Sequence, residues 1–501
     1  MNTTARAEHA PTATTLRPNA KRAGRLAALL LAGLALTACE ATRNATNAVL
    51  GNPTPSGTPG FVRGFLGGVA TEEPVAAAVA RDVLSAGGNA ADAALAAAFT
   101  LTVTLPSRVG LGGGGACILY DVRRNDPEAL VFLPGARSGI PENADRPAAV
   151  PLMARGLFAL QARMPRGRPF EELMAPAEQL ARFGAPMSRA LYTDLVAVQA
   201  PLFADPQARA VFATPDGRPV QVGDRFQNPA LGGTLTALRV SGVGDMHLGG
   251  LARRVEEATA QIGAGTITVA ELRAALPQVV RPIFVNARSG DRIAFLPPPA
   301  DGGLAAAAAF QALQSSQSLE DAQSRAMAVA AASRVRAGGD PQALLAEAGL
   351  PASMPGSLPA SAGLMVFDRE GNAVSCAFTM NNLFGTGRMV PGMGFLAAAA
   401  PGIGRVQPPL LSAAVGWNPN LRAFRMAVAG SGQEAAPMAV AGPLAAQMLR
   451  DATAEAGVQI VPEPGRSQIG ICPRYLPGWP SLCTTLSDPR GAGVALGATD
   501  R

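Results

Sequence analysis

The sequence predicts an α+β protein in which sheets are sandwiched between layers of helix. One observation is a hairpin. Gly363-Leu364-Met365-Val366-Phe367 and Ala373–Met380 flank the turn Asp368-Arg369-Glu370-Gly371-Asn372 and are apolar on both faces, so the hairpin needs cover on both sides. Another is the alanine-rich helical pattern found before and after it, at residues 90–99 and 304–313. The last is composition: 501 residues, 48% apolar and 16% charged, enough for a large layered core and too apolar for wholesale disorder.

Thr71-Glu72-Glu73-Pro74 opens a helix, with the threonine hydroxyl as its cap and negative charge at its amino end. It runs through Val75, Val79, Val83 and Leu84 and stops at Gly87-Gly88. Asn89 caps a second helix through Leu95 and Phe99, and Pro106 closes that region. Gly110, Gly112 and Gly115 satisfy GxGxxG, but a dinucleotide site needs a strand before the glycines and a helix after them. Here a helix precedes, and the strand-like Cys117-Ile118-Leu119-Tyr120 follows. The glycines are read instead as places where backbone layers approach closely. Further on, Asp216-Gly217 is a turn, Thr268 to Glu271 is a capping box, and Pro297-Pro298-Pro299 leads to the helix Leu304–Leu313. From about Ser315 to Ala360 the composition shifts to Ala, Ser, Gln and Pro, and Ser353–Pro359 reads as an exposed loop.

Lys21 is the sole lysine, and His9 and His247 are the two histidines. A Walker A lysine, a Ser–Lys dyad, a pyridoxal Schiff base and any site needing several histidines are therefore excluded beyond residue 25. No metal and no cofactor are expected, and His247 is read as structural. Much of the net charge of +6 comes from Arg6, Arg17, Lys21, Arg22 and Arg25, opposed locally by Glu8. With three tyrosines, two tryptophans and no arginine-rich run, the chain is not read as a nucleic-acid binder.

The basic cluster Arg17–Arg25 precedes the apolar run Leu26–Leu36, too short to span a bilayer but suited to a signal peptide. The run ends in Leu36-Thr37-Ala38-Cys39, which resembles the lipobox of bacterial lipoproteins. That implies a signal peptide over 1–38, lipidation of Cys39 and a lipid-anchored linker over 39–62; the alternative is an ordinary signal peptide. The body is then expected to face the periplasm, held to the membrane by its lipid, and Glu40 after the cysteine favours the outer membrane. Cys472 and Cys483 bracket a Pro/Gly/Trp-rich loop and are the expected disulfide in an oxidising compartment. Cys117 and Cys376 are read as buried thiols.

Gly68-Val69-Ala70-Thr71, Gly87–Ala93 and Gly110–Gly115 together resemble the amino-terminal half of gamma-glutamyltranspeptidases. So do Pro215–Pro219, Gly223-Asp224-Arg225, Asn228–Leu231, Thr268–Leu272 and Pro297–Gly303. Asp368–Val374, Thr379-Met380-Asn381 and Phe384-Gly385-Thr386-Gly387 continue the likeness in the second half, so that it covers roughly residues 64–450. The resemblance implies a four-layer αββα sandwich of N-terminal-nucleophile hydrolase type. It also implies a precursor that cuts itself into a large-subunit-like segment over 63–360 and a small-subunit-like segment over 361–501. Such a chain needs no histidine: a free α-amine titrates near 7.7–8.0 and can take the proton of its own residue's hydroxyl.

Counted back from Asp368 and Asn381, the family's nucleophile falls on Ser361, making Ala360–Ser361 the expected scissile bond. The resemblance assigns Thr379 to hydrogen-bond the nucleophile and Asn381 to contact the donor. It places the oxyanion hole at Ser431 and Gly432, followed here by Gln433 and Glu434. The family's donor-gripping arginine falls near Leu133, with Arg137 as the nearest substitute, and its paired serines become Leu411 and Ser412. The acidic and amide residues that hold the donor's α-amine fall in 397–404, which has neither. The expected substrate is a small amide or peptide, not necessarily a gamma-glutamyl one. The alternative is an inactive member that keeps the sandwich for binding or assembly at the cell envelope.

Overall fold

The computed structural model describes residues 55–499, apart from 138–139, 141–143, 145, 165–166, 337–338, 352–359 and 403–405. The signal-like segment with Cys39, and Ser353–Pro359, lie outside the described residues. In chain order the strands are β1 (Phe65–Thr71), β2 (Gly114–Tyr120), β3 (Glu128–Phe132), β4 (Ala185–Pro186), β5 (Arg225–Phe226), β6 (Gln278–Val280), β7 (Ile283–Asn286) and β8 (Arg292–Phe295). They continue with β9 (Ser361–Asp368), β10 (Ala373–Thr379), β11 (Ser412–Asn418), β12 (Ala423–Ser431), β13 (Arg466–Leu476), β14 (Thr484–Ser487) and β15 (Val494–Thr499). One sheet has the order β15-β1-β9-β10-β2-β3-β6 and the other β14-β13-β12-β11-β8-β7, while β4 and β5 form a small separate pair.

Side-chain alternation turns these sheets into layers. In β9, Leu364 and Val366 point to a core shared with helices α1 (Pro74–Ser85), α2 (Ala90–Thr104), α3 (Phe170–Phe183) and α4 (Pro229–Ser241). Met365 and Phe367 point the other way, into a core between the sheets that also holds Tyr120, Val415, Trp417 and Phe424. Across that core Phe367 stacks on Phe424 with ring centroids 5.2 Å apart. The second sheet's far face, with Ile293, Val428 and Ile469, packs on α5 (Gly302–Gln314), α6 (Leu319–Arg336) and α7 (Ala436–Arg450). The result is helix, sheet, sheet, helix. Both hairpin arms are buried on both faces, as their composition predicts.

Local details both support and correct the sequence reading. Asn89 caps α2 in a full capping box with Asp92, but the cap of α1 is the Glu73 carboxylate, which accepts from the Ala76 N–H. Thr71 is the last residue of β1 instead, and its hydroxyl donates to the Gly363 carbonyl at 3.0 Å. The register of β1 against β9 draws that side chain away from the helix. The glycine run does permit close approach: a Cβ on Gly112 would lie 2.2 Å from the Leu396 carbonyl oxygen, and one on Gly114 2.0 Å from that of Phe132. Cys472 and Cys483 form a disulfide. Cys117 and Cys376 are also joined, correcting their reading as thiols. They lie directly opposite each other in β2 and β10, a proximity that no spacing in the sequence reveals.

His247 is fully buried, and its Nδ1 lies 2.9 Å from the Leu272 carbonyl oxygen. A carbonyl can only accept, so the proton sits on Nδ1, while Nε2 has no protein partner. Burial, opposed by the Leu272 bond and aided by Arg155, pushes the imidazole pKa down to about 4. The unfolded state binds the proton more tightly, so this residue favours the native state above the unfolded value near 6.5 and the benefit is lost as pH falls toward 4. Urea unfolding between pH 7 and 4.5 should show stability falling by up to about 3 kcal/mol from this group, and His247→Asn should flatten that slope.

Candidate active site

Ser361 is the first residue of β9 and sits opposite Thr379, the last residue of β10. It is 3% exposed and lines a cavity of about 390 Å³ at the end of the two sheets. The Thr379 hydroxyl donates to the Ala360 carbonyl oxygen at 2.9 Å and accepts from the Asn381 N–H at 2.8 Å. Thr379 thus touches the carbonyl of the Ala360–Ser361 peptide. Asn381 itself has φ of 60° and donates from Nδ2 to the Ala399 carbonyl oxygen at 3.0 Å, so its amide braces the chain after β10.

Across the cavity, β12 ends at Ser431, and Gly432 and Gln433 follow with φ of 107° and 55°. These left-handed steps turn the chain into the helical segment that becomes α7, where the first N–H groups have no carbonyl one turn earlier to bond. Gly432 is required: a Cβ there would lie 2.4 Å from the Pro464 carbonyl oxygen, on top of the positive φ. Ser431, Gly432 and Gln433 line the cavity together with Ser361, whereas Glu434 is not among the lining residues. The Ser431 hydroxyl and Gln468 Oε1, both at this wall, are buried without a protein partner.

A buried charge cluster holds the start of β9. Glu72, next after β1, accepts through Oε1 from the Gly363 N–H at 2.8 Å and through Oε2 from Arg108 at 2.7 Å. Arg108 also grips Asp194 through Nε and NH2, and Asp194 accepts from the Ser107 hydroxyl. Burial alone would lower the Arg108 pKa, but Asp194 and Glu72 outweigh it and raise it. These residues, and the cavity's further arginines Arg189, Arg466 and Arg490, escape a reading based on motifs. Glu72 stands inside the Gly68–Thr71 neighbourhood, the one signal that could have drawn attention to it.

Three residues expected at the substrate are elsewhere. The Arg137 side chain is 1% exposed, paired with Glu271 and donating to the Gly265 carbonyl oxygen. It ties the strand-following segment to the capping box of the helix Val269–Ala274 and does not line the cavity. Ser412 is fully buried, and its hydroxyl donates to the Leu410 carbonyl oxygen. Asn381 too is absent from the lining. Ala397–Ala400, which begin the span matched to the family's α-amine site, are buried alanines. Among the described residues no group of three His, Cys, Asp or Glu side chains could hold a metal ion, and no helix is long and apolar enough to cross a membrane.

Comparison with known proteins accords with this geometry. A family model described as Gamma-glutamyltranspeptidase matches residues 76–353. The chain is 30% identical to the glutathione hydrolase proenzyme of Bacillus subtilis (strain 168) over 254 residues, 48% of this chain and 43% of that protein. It is 26% identical to the glutathione hydrolase proenzyme of Escherichia coli (strain K12) over 402 residues, 69% of each. The chain thus spans less than half the length of the Bacillus relative. The fold matches that of the cephalosporin acylase from Bacillus halodurans with a TM-score of 0.69, at 19% identity and covering 89% of this chain and 97% of that one. Arg108→Leu should lower stability by about 3–5 kcal/mol in urea unfolding, because it strands the buried Glu72 and Asp194 carboxylates.

Proposed function

Because the chain belongs to the gamma-glutamyltranspeptidase family, we propose that it is a self-processing amide hydrolase or acyltransferase whose nucleophile is Ser361, freed by cleavage of the Ala360–Ser361 bond. One observation carries the reading: Ala360 and Ser361 line the cavity, and the Thr379 hydroxyl behind them already donates to the Ala360 carbonyl that Ser361 would attack. In the first step the Ser361 Oγ adds to the Ala360 carbonyl carbon. Negative charge grows on the oxygen that faces Thr379 and is stabilised there. Collapse breaks the C–N bond and transfers the acyl group to Oγ as an ester, while the proton lost by Oγ passes to the Ser361 nitrogen, which leaves as an amine. Water then hydrolyses the ester, giving the Ala360 carboxylate and a free Ser361.

The same residue now carries both hydroxyl and base. Its α-amine takes the Oγ proton as Oγ attacks a donor amide, and it returns the proton to the leaving amine. The N–H groups at Ser431 and Gly432 face the charge that appears in the tetrahedral intermediate. Guanidinium groups around the cavity favour the neutral form of the amine, which suits a base at neutral pH. Water or a second amine releases the acyl group, so hydrolysis and transfer are two fates of one acyl-enzyme. In this reading Cys39 bears a lipid that holds the body at the membrane on the periplasmic side.

Mass spectrometry and amino-terminal sequencing of the purified protein should find a fragment beginning at Ser361, and Ser361→Ala should stay full-length; an uncut wild-type chain with an intact fold would sink the proposal. Thr379→Val should slow cleavage by about 10²–10³-fold on a timed denaturing gel. Cys117 and Cys376 lie on opposite sides of the cut. The processed protein should therefore run as one species without reductant and as two with it, while Cys117→Ser should give two in either case.

A further inference from the structure

We infer that the cavity beside Ser361 takes an acyl donor ending in a carboxylate with no ammonium group beside it, a dicarboxylic monoamide, and that Arg189 and Arg466 hold that carboxylate. The inference rests on Ser361 being the nucleophile and names the substrate class of that site. Four arginines line the cavity, against Glu72 as its sole lining acid among the described residues. Both Glu72 oxygens are engaged, by the Gly363 N–H and by Arg108. Arg108 is spent on Glu72 and Asp194, and Arg490 on Asp488 and Glu463.

The other two are less committed. Arg466 shares Glu463, whose side chain is 60% exposed, with Arg490. Arg189 has the Gly491 carbonyl oxygen at 3.4 Å as its protein partner and no acidic one among the described residues. An incoming carboxylate meets the Arg189 guanidinium, which has no acidic partner among the described residues, and that of Arg466, which shares Glu463 with Arg490, two planar forks suited to bidentate bonding. An incoming ammonium meets the same charge with no free carboxylate, since Arg108 and Gly363 hold the Glu72 oxygens. The buried Ser431 hydroxyl and Gln468 Oε1 remain as neutral partners for the donor's amide.

The chemistry balances. The donor's amide C–N bond breaks as Ser361 Oγ forms the ester, the Oγ proton passes through the α-amine to the departing amine, and water cleaves the ester to the free dicarboxylic acid.

The test has two arms. In the first, Ser361→Ala, which leaves the chain uncut and the cavity present, is titrated calorimetrically with glutarate, glutamate and butyrate. Glutarate should bind about tenfold more tightly than either of the others, weakening as salt rises, and Arg189→Gln and Arg466→Gln should each erase the preference. In the second, processed wild-type protein is assayed on the 4-nitroanilides of glutarate, γ-glutamate and butyrate. The glutaryl compound should be cleaved fastest, and Arg189→Gln should raise its KM about tenfold while kcat stays within about twofold. Equal or tighter binding of glutamate or butyrate, no binding of glutarate, or faster cleavage of either other anilide overturns the inference. An uncut wild-type chain overturns the nucleophile instead, and leaves the binding arm to decide the cavity's preference.

Discussion

The pairing of β9 with β10 is the constraint on which the site depends. Its register places Ser361 opposite Thr379, and only in that register can the Thr379 hydroxyl reach the Ala360 carbonyl. A slip of one residue would turn every side chain of β9 to the other face, sending Leu364 and Val366 into the space between the sheets. Burial on both faces therefore specifies the chemistry: the core that fixes the strand also fixes its first residue.

The buried charges around Glu72 serve the same end by another route. Gly363 is the third residue of β9; its N–H is held by Glu72 and its carbonyl by Thr71, so the strand's beginning is pinned from the β1 side while β10 pins it from the other. A pair of buried carboxylates astride one guanidinium is a poor source of net stability compared with apolar packing. Its value is positional, because such groups tolerate little displacement before a charge is left unpaired. The disulfide between Cys117 and Cys376 adds a covalent tie between β2 and β10, joining segments before and after the Ala360–Ser361 bond.

The cavity combines an inherited frame with altered furniture. The strand-end position of Ser361, the turn at Gly432 and the family likeness go together. The residues expected to grip a zwitterionic head do not: Arg137 is committed to Glu271, Ser412 to its own backbone neighbourhood, and Ala397–Ala400 offer no charge. Positive charge enters from other elements, the helix beginning at Arg189, strand β13 with Arg466, and the chain near Arg490. A frame of this kind can be retained while its specificity is rebuilt, since lining residues sit on strand ends and loops that the core does not constrain.

The amino-acid sequence by itself determined the layering, because a hairpin apolar on both faces has no other stable solution, and it determined the absence of histidine and lysine chemistry because those residues are scarcely present. It also located α2, through the Asn89 cap, and the close-packed glycines, both of which are local patterns along one chain. Tertiary structure alone decided what meets across the chain. The Cys117–Cys376 bond spans 259 residues, and the cavity draws Arg108, Arg189, Arg466 and Arg490 from distant elements. Spacing cannot encode such encounters: they follow from strand order and register, which emerge only when all layers pack at once.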